Sequence, residues 1–445
     1  MSSLSFWCEL AWLGDEPAAE GVVIEVDGER IASVEPGISA PPPGATRLDG
    51  ITIPGLANAH SHAFQRALRG RTHSGRGDFW TWREAMYALA SRLDPDLYLP
   101  LARATYGEMA LAGITCVGEF HYLHHAPDGT PYADPNAMGN AVIQAAREAG
   151  VRITLLDACY LRGGIGEELA GAQRRFGDRD ADGWVDRVNG LHGGDGARIG
   201  AAIHSIRAVD PESAATVAAW AGARESPLHA HVSEQPAEND ASRRAYGATP
   251  TAVLAEADAL GERFTAVHGT HLNEPDIRLL GLAHATGCVC PTTERDLADG
   301  IAPAERLRSA GIELALGSDS HSVIDLFEEA RAVELDERLA SGERGRNPAP
   351  ELLRAATESG HACLGWPEAG RIAPGAIADL VTLSLETPRL AGTDRASAVE
   401  AVAFAATAAD VRGVVASGRE IVRGGEHIAM DVPAELDEAI REAWT

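Results

Sequence analysis

The stretch PGLANAHSHAFQRALRG, Pro54 to Gly70, follows the apolar run GITI and passes through His60 and His62 into a basic, helical-looking segment carrying Gln65 and Arg66. In an extended strand the side chains at i and i+2 share a face, so the two imidazoles lie side by side where the strand ends. That arrangement can hold a cation. Taken alone, the pair reads equally well as two solvent-facing or core histidines, and only ligands elsewhere in the chain decide between the readings.

Working outward, eight short apolar runs alternate with helical segments: GITIPGLANAH, GITCVGEF, VRITLLDACY, ARIGAAIHSI, SPLHAHVSE, RFTAVHGTH, GCVCPTT and IELALGSDS. The patterns Leu97 to Leu111 and Ala137 to Ala149 predict helices between them, the second closed by Gly150. Repeated βα units predict a parallel sheet, and eight of them over about three hundred residues predict a (β/α)8 barrel spanning 55–365, with chemistry at the strand C-terminal ends. The chain ends read differently. GVVIEVDGERIASVEPG (Gly21–Gly37) alternates as a hairpin around Asp27-Gly28, and GRIAPGAIADLVTLSLE and VRGVVASGREIVRGGEH have the same strand-and-turn character. A small β-sandwich domain built from both termini, 1–54 and 366–445, is the simplest account. Arg162 to Trp184, rich in glycine and charge, reads as a long loop or lid over the barrel mouth.

The composition narrows the function. The chain has 445 residues, 45% of them hydrophobic, and a net charge of −27. Nucleic acid and anionic membrane surfaces both need a positive footprint, so neither is an expected partner. The six cysteines are scattered, no apolar run reaches membrane-spanning length and no signal pattern opens the chain. A reduced, cytoplasmic enzyme is expected. Cys288 and Cys290 lie in an apolar run and read as buried thiols rather than ligands. Every one of the 38 basic Lys/Arg residues is arginine. A carbamylated-lysine metal bridge and a lysine Schiff base are therefore both excluded.

Placed on the predicted strands, the polar groups at C-terminal ends are His60, His62, Tyr122, His204, Arg207, His231, Glu234, His268, His271 and Asp319. Any one could be structural, but their joint arrival at successive strand ends predicts a site. Three neutral imidazoles and one carboxylate suit Zn²⁺, or Fe²⁺, with a position left for water, and His60, His62, His231 and Asp319 are the expected ligands. His268 is left to act as base or electrostatic stabiliser. Glu234, three residues past His231, is placed to protonate a leaving nitrogen; the bland alternative is a solvated loop carboxylate.

These residues resemble the amidohydrolase superfamily, whose His-x-His on the first strand, histidines after strands five and six, and aspartate on the eighth match His60, His62, His231, His268 and Asp319. Members with a lysine on strand four bind two metals; here that strand ends in HSIRA with His204, which resembles the mononuclear deaminase branch. Within it, HSHAFQRALRG, FWTWREAMY, GEFHYLHH, HSIRA and HVSEQ resemble the formimidoylglutamate deiminases of histidine degradation over nearly the whole chain. That resemblance implies one metal per chain, catalytic roles for His268, Glu234 and Asp319, and substrate contacts from Gln65, Tyr122, His204 and Arg207, with Arg83 joining them. N-formimino-L-glutamate is a dianion, so an acidic protein must place planar bidentate donors locally, as Arg207 could. The bland alternative for Arg207 is a surface ion pair with Asp210. The expected reaction is hydrolytic deimination to N-formyl-L-glutamate and ammonia, in a homodimer acting on a small molecule. The rivals are a mononuclear deaminase of a guanine- or cytosine-like ring and a non-enzymatic scaffold on the same barrel.

Overall fold

The computed structural model describes residues 4–14, 17–73 and 79–445, with the side chains of 79 and 80 left aside. Phe79 and Trp80 of the FWTWREAMY motif therefore lie outside the described side chains. Each of the eight apolar runs overlaps a barrel strand: β1 (Leu56–Ser61), β2 (Ile114–His121), β3 (Arg152–Cys159), β4 (Ala197–Ile203), β5 (Leu228–Val232), β6 (Phe264–His268), β7 (Thr286–Val289) and β8 (Glu313–Leu316). They pair in parallel in sequence order. Their near-continuous burial is what helices packed on the outside of a parallel sheet demand.

The ring closes between β1 and β8 through a narrow seam. Asp319 N–H donates to the carbonyl of His60 at 3.0 Å, and His62 N–H donates to the carbonyl of Asp319 at 3.2 Å. Gly317 lets the two strands approach, because a Cβ there would stand 2.6 Å from the His60 Cβ and 2.9 Å from its carbonyl oxygen. Helix Pro95–Leu111 opens on Asp94, whose carboxylate accepts from Leu97 N–H. Helix Ala137–Ala149 ends on Gly150 at φ 76°, the left-handed position that favours glycine.

The chain termini form one continuous eight-stranded sheet, in the order 426–427, 419–423, 411–416, 380–383, 46–54, 4–11, 19–27, 30–35. Its 19–27 and 30–35 strands make the hairpin read around Asp27-Gly28. The sheet encloses a core of its own that includes Phe6, Val22, Ile24, Ile31 and Leu380. The C-terminal helix Val432–Trp444 leaves the sheet and packs on the barrel, with Trp444 Nε1–H donating to Ala67 and Glu435 paired with Arg103.

A buried ion pair ties the two parts together. Asp379, just before the 380–383 strand, accepts from both terminal nitrogens of Arg152 at the start of β3, from Ser417 N–H at 2.8 Å and from Thr115 Oγ1 at 3.1 Å. The two side chains are 1% and 5% exposed, so neither charge has solvent to fall back on. Burial alone would raise the Asp379 carboxyl, but the Arg152 guanidinium outweighs it and holds the group below the usual carboxylate range.

Candidate metal centre and substrate pocket

At the C-terminal ends of β1, β5 and β8 the structure brings His60, His62, His231 and Asp319 together. His60 Nε2 and His62 Nε2 stand 3.4 Å and 3.3 Å from Asp319 Oδ1, and His60 Nε2 stands 3.1 Å from His231 Nε2. His62 Nδ1–H donates to the Phe120 carbonyl at 2.9 Å and His231 Nδ1–H to the His204 carbonyl at 2.8 Å. These bonds fix the tautomers, so the Nε2 lone pairs face inward. Burial drives all three imidazoles towards the neutral form: His62 is pushed down to about 3, and His60 and His231 lie well below the ordinary value. Neutral, oriented imidazoles beside one carboxylate are the chemistry of a zinc or ferrous site, and the residues present fit it.

His268, at the end of β6, stacks on His231 with ring centroids 5.4 Å apart. Its Nδ1 faces Glu294 Oε1 at 3.4 Å, and its Nε2 lies 3.9 Å from both Asp319 Oδ2 and Glu234 Oε1. Burial would lower this imidazole, but the three carboxylates carry it up to about 10. Burial likewise lifts Asp319 to about 7, against the pull of His268. Ser233, His268, Asp319 and His321 all have positive φ, 52°, 71°, 43° and 59°. Non-glycine strain of this kind persists where surrounding structure holds it, and here it collects around the centre.

The centre opens into a cavity of about 480 Å³, whose lining includes His62, His231, His268, Asp319, Gln65, Arg83, Tyr122, His204, Arg207 and Glu234. Gln65 Nε2 donates to Tyr122 Oη at 2.8 Å. His204 packs its ring against Tyr160 at 4.4 Å, and burial holds it well below its ordinary pKa, with Arg207 adding to the effect. The Arg83 guanidinium lies over the Tyr87 ring at 5.5 Å. Arg207 does not pair with Asp210. Asp210 instead caps helix Pro211–Ala223 and pairs with Arg162 at 2.8 Å, while Arg207 Nη2 meets Glu234 Oε2 at 2.7 Å. Glu234 is 6% exposed, which removes the solvated-loop reading.

His271, read with the others at a strand end, turns aside and bonds the Asp299 carbonyl at 2.7 Å. The 162–184 segment borders the cavity, with Gly163, Gly164, Ile165 and Glu167 in its lining. Its first part is loop; a 3₁₀ turn at Gly171–Arg175 and the start of helix Ala181–Val188 follow, and the buried Arg175 guanidinium bonds the carbonyls of Ala90 and Leu93. Phe176 and Tyr160 line the pocket.

Sequence reasoning missed Glu294, which also accepts from Cys290 N–H at 2.8 Å. It lies just beyond β7, and the strand-end rule that picked out the other residues points to it as well. It missed Glu238 too, which accepts from Glu234 N–H at 3.0 Å from within the next helix. A second grouping, His121, His124 and Asp157, is buried beneath the pocket. Asp157 already takes both terminal nitrogens of Arg187 and Trp184 Nε1–H, so its charge is spent on that wall.

A model of the Amidohydrolase family matches residues 51–421. Formimidoylglutamate deiminase of Pseudomonas aeruginosa is 37% identical, over 92% of each chain. The 5-methylthioadenosine/S-adenosylhomocysteine deaminase of Natronomonas pharaonis is 29% identical, over 88% of this chain and 86% of its own. A solved amidohydrolase structure from Brucella melitensis superposes with a TM-score of 0.92 at 32% identity, covering 99% of this chain and 100% of that one.

Proposed function

Since the chain belongs to the amidohydrolase family, we propose that it acts as a formimidoylglutamate deiminase of histidine degradation, hydrolysing N-formimino-L-glutamate to N-formyl-L-glutamate and ammonia. The observation that carries this reading is the sharing of one cavity by the imidazole–carboxylate centre and the arginines Arg83 and Arg207. A linear dianion needs such cations beside the reacting carbon, whereas a neutral flat ring needs amide and aromatic partners instead. The 37% identity to an enzyme of that name over 92% of both chains supports the same choice.

His60, His62, His231 and Asp319 would hold one Zn²⁺ per chain, and Fe²⁺ suits the same donors. Such an ion would supply an acidified water and a charge that polarises the formimino carbon. The net change is R–NH–CH=NH + H₂O → R–NH–CHO + NH₃. Asp319 Oδ2 takes the proton that the attacking water gives up, and His268 Nε2, already cationic, stands 3.9 Å from it. His268, fixed through Nδ1 by Glu294, also offers positive charge to the oxygen on the reacting carbon. The proton passes from Asp319 by way of His268 to Glu234, whose Oε1 also lies 3.9 Å from His268 Nε2, and Glu234 gives it to the leaving nitrogen. Gln65, Tyr122, His204, Arg83 and Arg207 orient the glutamate portion.

The six cysteines are free and buried, which suits a cytoplasmic enzyme, and among the described residues no helix is long and apolar enough to cross a membrane. The assembly proposed is a homodimer, which light scattering on the purified protein would test. The decisive assay is ammonia release from formiminoglutamate, guanine and cytosine by zinc-loaded protein. Turnover of the first alone is expected. Preference for either ring would overturn the substrate, and no release from any substrate would favour a non-enzymatic scaffold.

A further inference from the structure

The clamp and the acid of the proposed mechanism are bonded to each other. Arg207 stands past the end of β4 and Glu234 past the end of β5, and Nη2 of the first meets Oε2 of the second at 2.7 Å. Both side chains are largely buried, 19% and 8% exposed. The other Glu234 oxygen faces His268, and the Glu234 backbone N–H is held by Glu238. The loop carrying the acid is thus fixed, and the freedom left to the Glu234 carboxylate is rotation of its side chain away from Arg207.

We propose that Arg207 makes proton delivery by Glu234 conditional on a substrate carboxylate, because that carboxylate replaces Glu234 as the partner of the guanidinium. The inference rests on the deiminase reading above. To take up a proton and pass it to the leaving nitrogen, Glu234 must give up its charge against Nη2. If nothing takes its place, the buried guanidinium loses its bonded carboxylate and keeps the unbonded charge of Glu238, and breaking a buried pair from one side is strongly unfavourable. A substrate carboxylate docked on Arg207 removes that cost, so the same contact that binds the substrate frees the acid. Recognition of the carboxylate then appears in kcat and not only in KM, since the interaction is used to reach the transition state.

The geometry predicts how a substrate without carboxylates behaves. N-propylformamidine presents the same reacting carbon and nitrogens but cannot replace Glu234 on Arg207. With wild-type, zinc-loaded enzyme its kcat should fall by about a hundredfold to several thousandfold relative to formiminoglutamate. Free formate, small enough to fill the place of a missing carboxylate beside the propyl chain, should then raise the kcat for N-propylformamidine by about tenfold or more, while it inhibits turnover of formiminoglutamate by competition. In Arg207→Met the formate response should vanish, and the kcat ratio between the two substrates should contract to within about threefold, with Glu234 released in both cases. The formate experiment uses wild-type protein, so it stands even if Arg207→Met fails to fold.

Formate that only inhibits, or a truncated substrate whose KM rises while its kcat is kept, would overturn the coupling and leave the deiminase reading intact. No ammonia from formiminoglutamate would overturn the deiminase reading and the coupling with it.

Discussion

Replacing Asp379 with Asn leaves its shape and removes its charge, so the Arg152 guanidinium stays buried with no anion against it. The Asp379 side chain is 1% exposed and takes four hydrogen bonds, two of them from Arg152, so solvent cannot repair the loss. Breaking a buried pair from one side costs about 3–5 kcal/mol. With an unfolding entropy of roughly 2.1 cal/mol/K per residue, a chain of 445 residues loses about 1 °C of Tm for each 0.9 kcal/mol, so Asp379→Asn should lower Tm by about 3–5 °C. The double variant Arg152→Met/Asp379→Asn removes the stranded cation and should recover most of the loss. The pH dependence has a defined sign. Because Arg152 holds the Asp379 carboxyl below its unfolded value, the pair's contribution is fully present above about pH 4 and is lost as pH falls further. The Tm gap between wild type and Asp379→Asn should stay level from pH 7 to about 4 and narrow below that. Thermal unfolding of metal-saturated protein, followed by circular dichroism at each pH, measures all of this. A single variant within 1 °C of wild type, or a double variant less stable than the single, would refute the argument.

Three further outcomes are expected. Elemental analysis of protein loaded with excess zinc should level off near one tight equivalent per chain; two would overturn the single-centre reading. Glu234→Gln and His268→Asn should each lower kcat by about two or more orders of magnitude while metal content and Tm stay near wild type, and unchanged turnover in either removes that residue from the mechanism. Gly317→Ala forces a methyl against the His60 Cβ and carbonyl, an overpacking that costs about 1–3 kcal/mol. It should also weaken zinc retention on dialysis against a weak chelator, so wild-type retention and Tm together would rule out the close approach.

The barrel was legible because each strand is a compact apolar run with polar residues at one end, and that signal is local. The helix ends at Asp94 and Gly150 were legible for the same reason. Arg207 and Glu234 could each be singled out from position, but not their bond, because the pairing depends on how β4 and β5 sit side by side. Asp379 and Arg152 carry no local mark at all: one precedes a strand of the terminal sheet, the other opens a barrel strand, and only the docked fold makes them partners. Glu294 was within reach, since it lies past the end of β7 as Glu234 lies past the end of β5. The 162–184 segment was legible as a loop at the cavity, but its glycines and charges gave no sign that Arg175 spends its donors on buried carbonyls.

The seam between β1 and β8 also sets an order of events during folding. Elsewhere in the barrel neighbouring strands are joined by runs of paired residues, whereas here the joining groups are the main chains of His60, His62 and Asp319, whose side chains converge as the proposed metal donors. β1 is the first barrel strand to be synthesised and β8 the last, so the donor set comes into being only when the ring shuts. Zinc capture during refolding should therefore report the final docking step, and it is expected to lag behind the appearance of helix and strand. Stripping the ion from the mature enzyme should speed amide exchange first at His62 and Asp319, well before the β3–β4 ladder on the far side of the ring is touched.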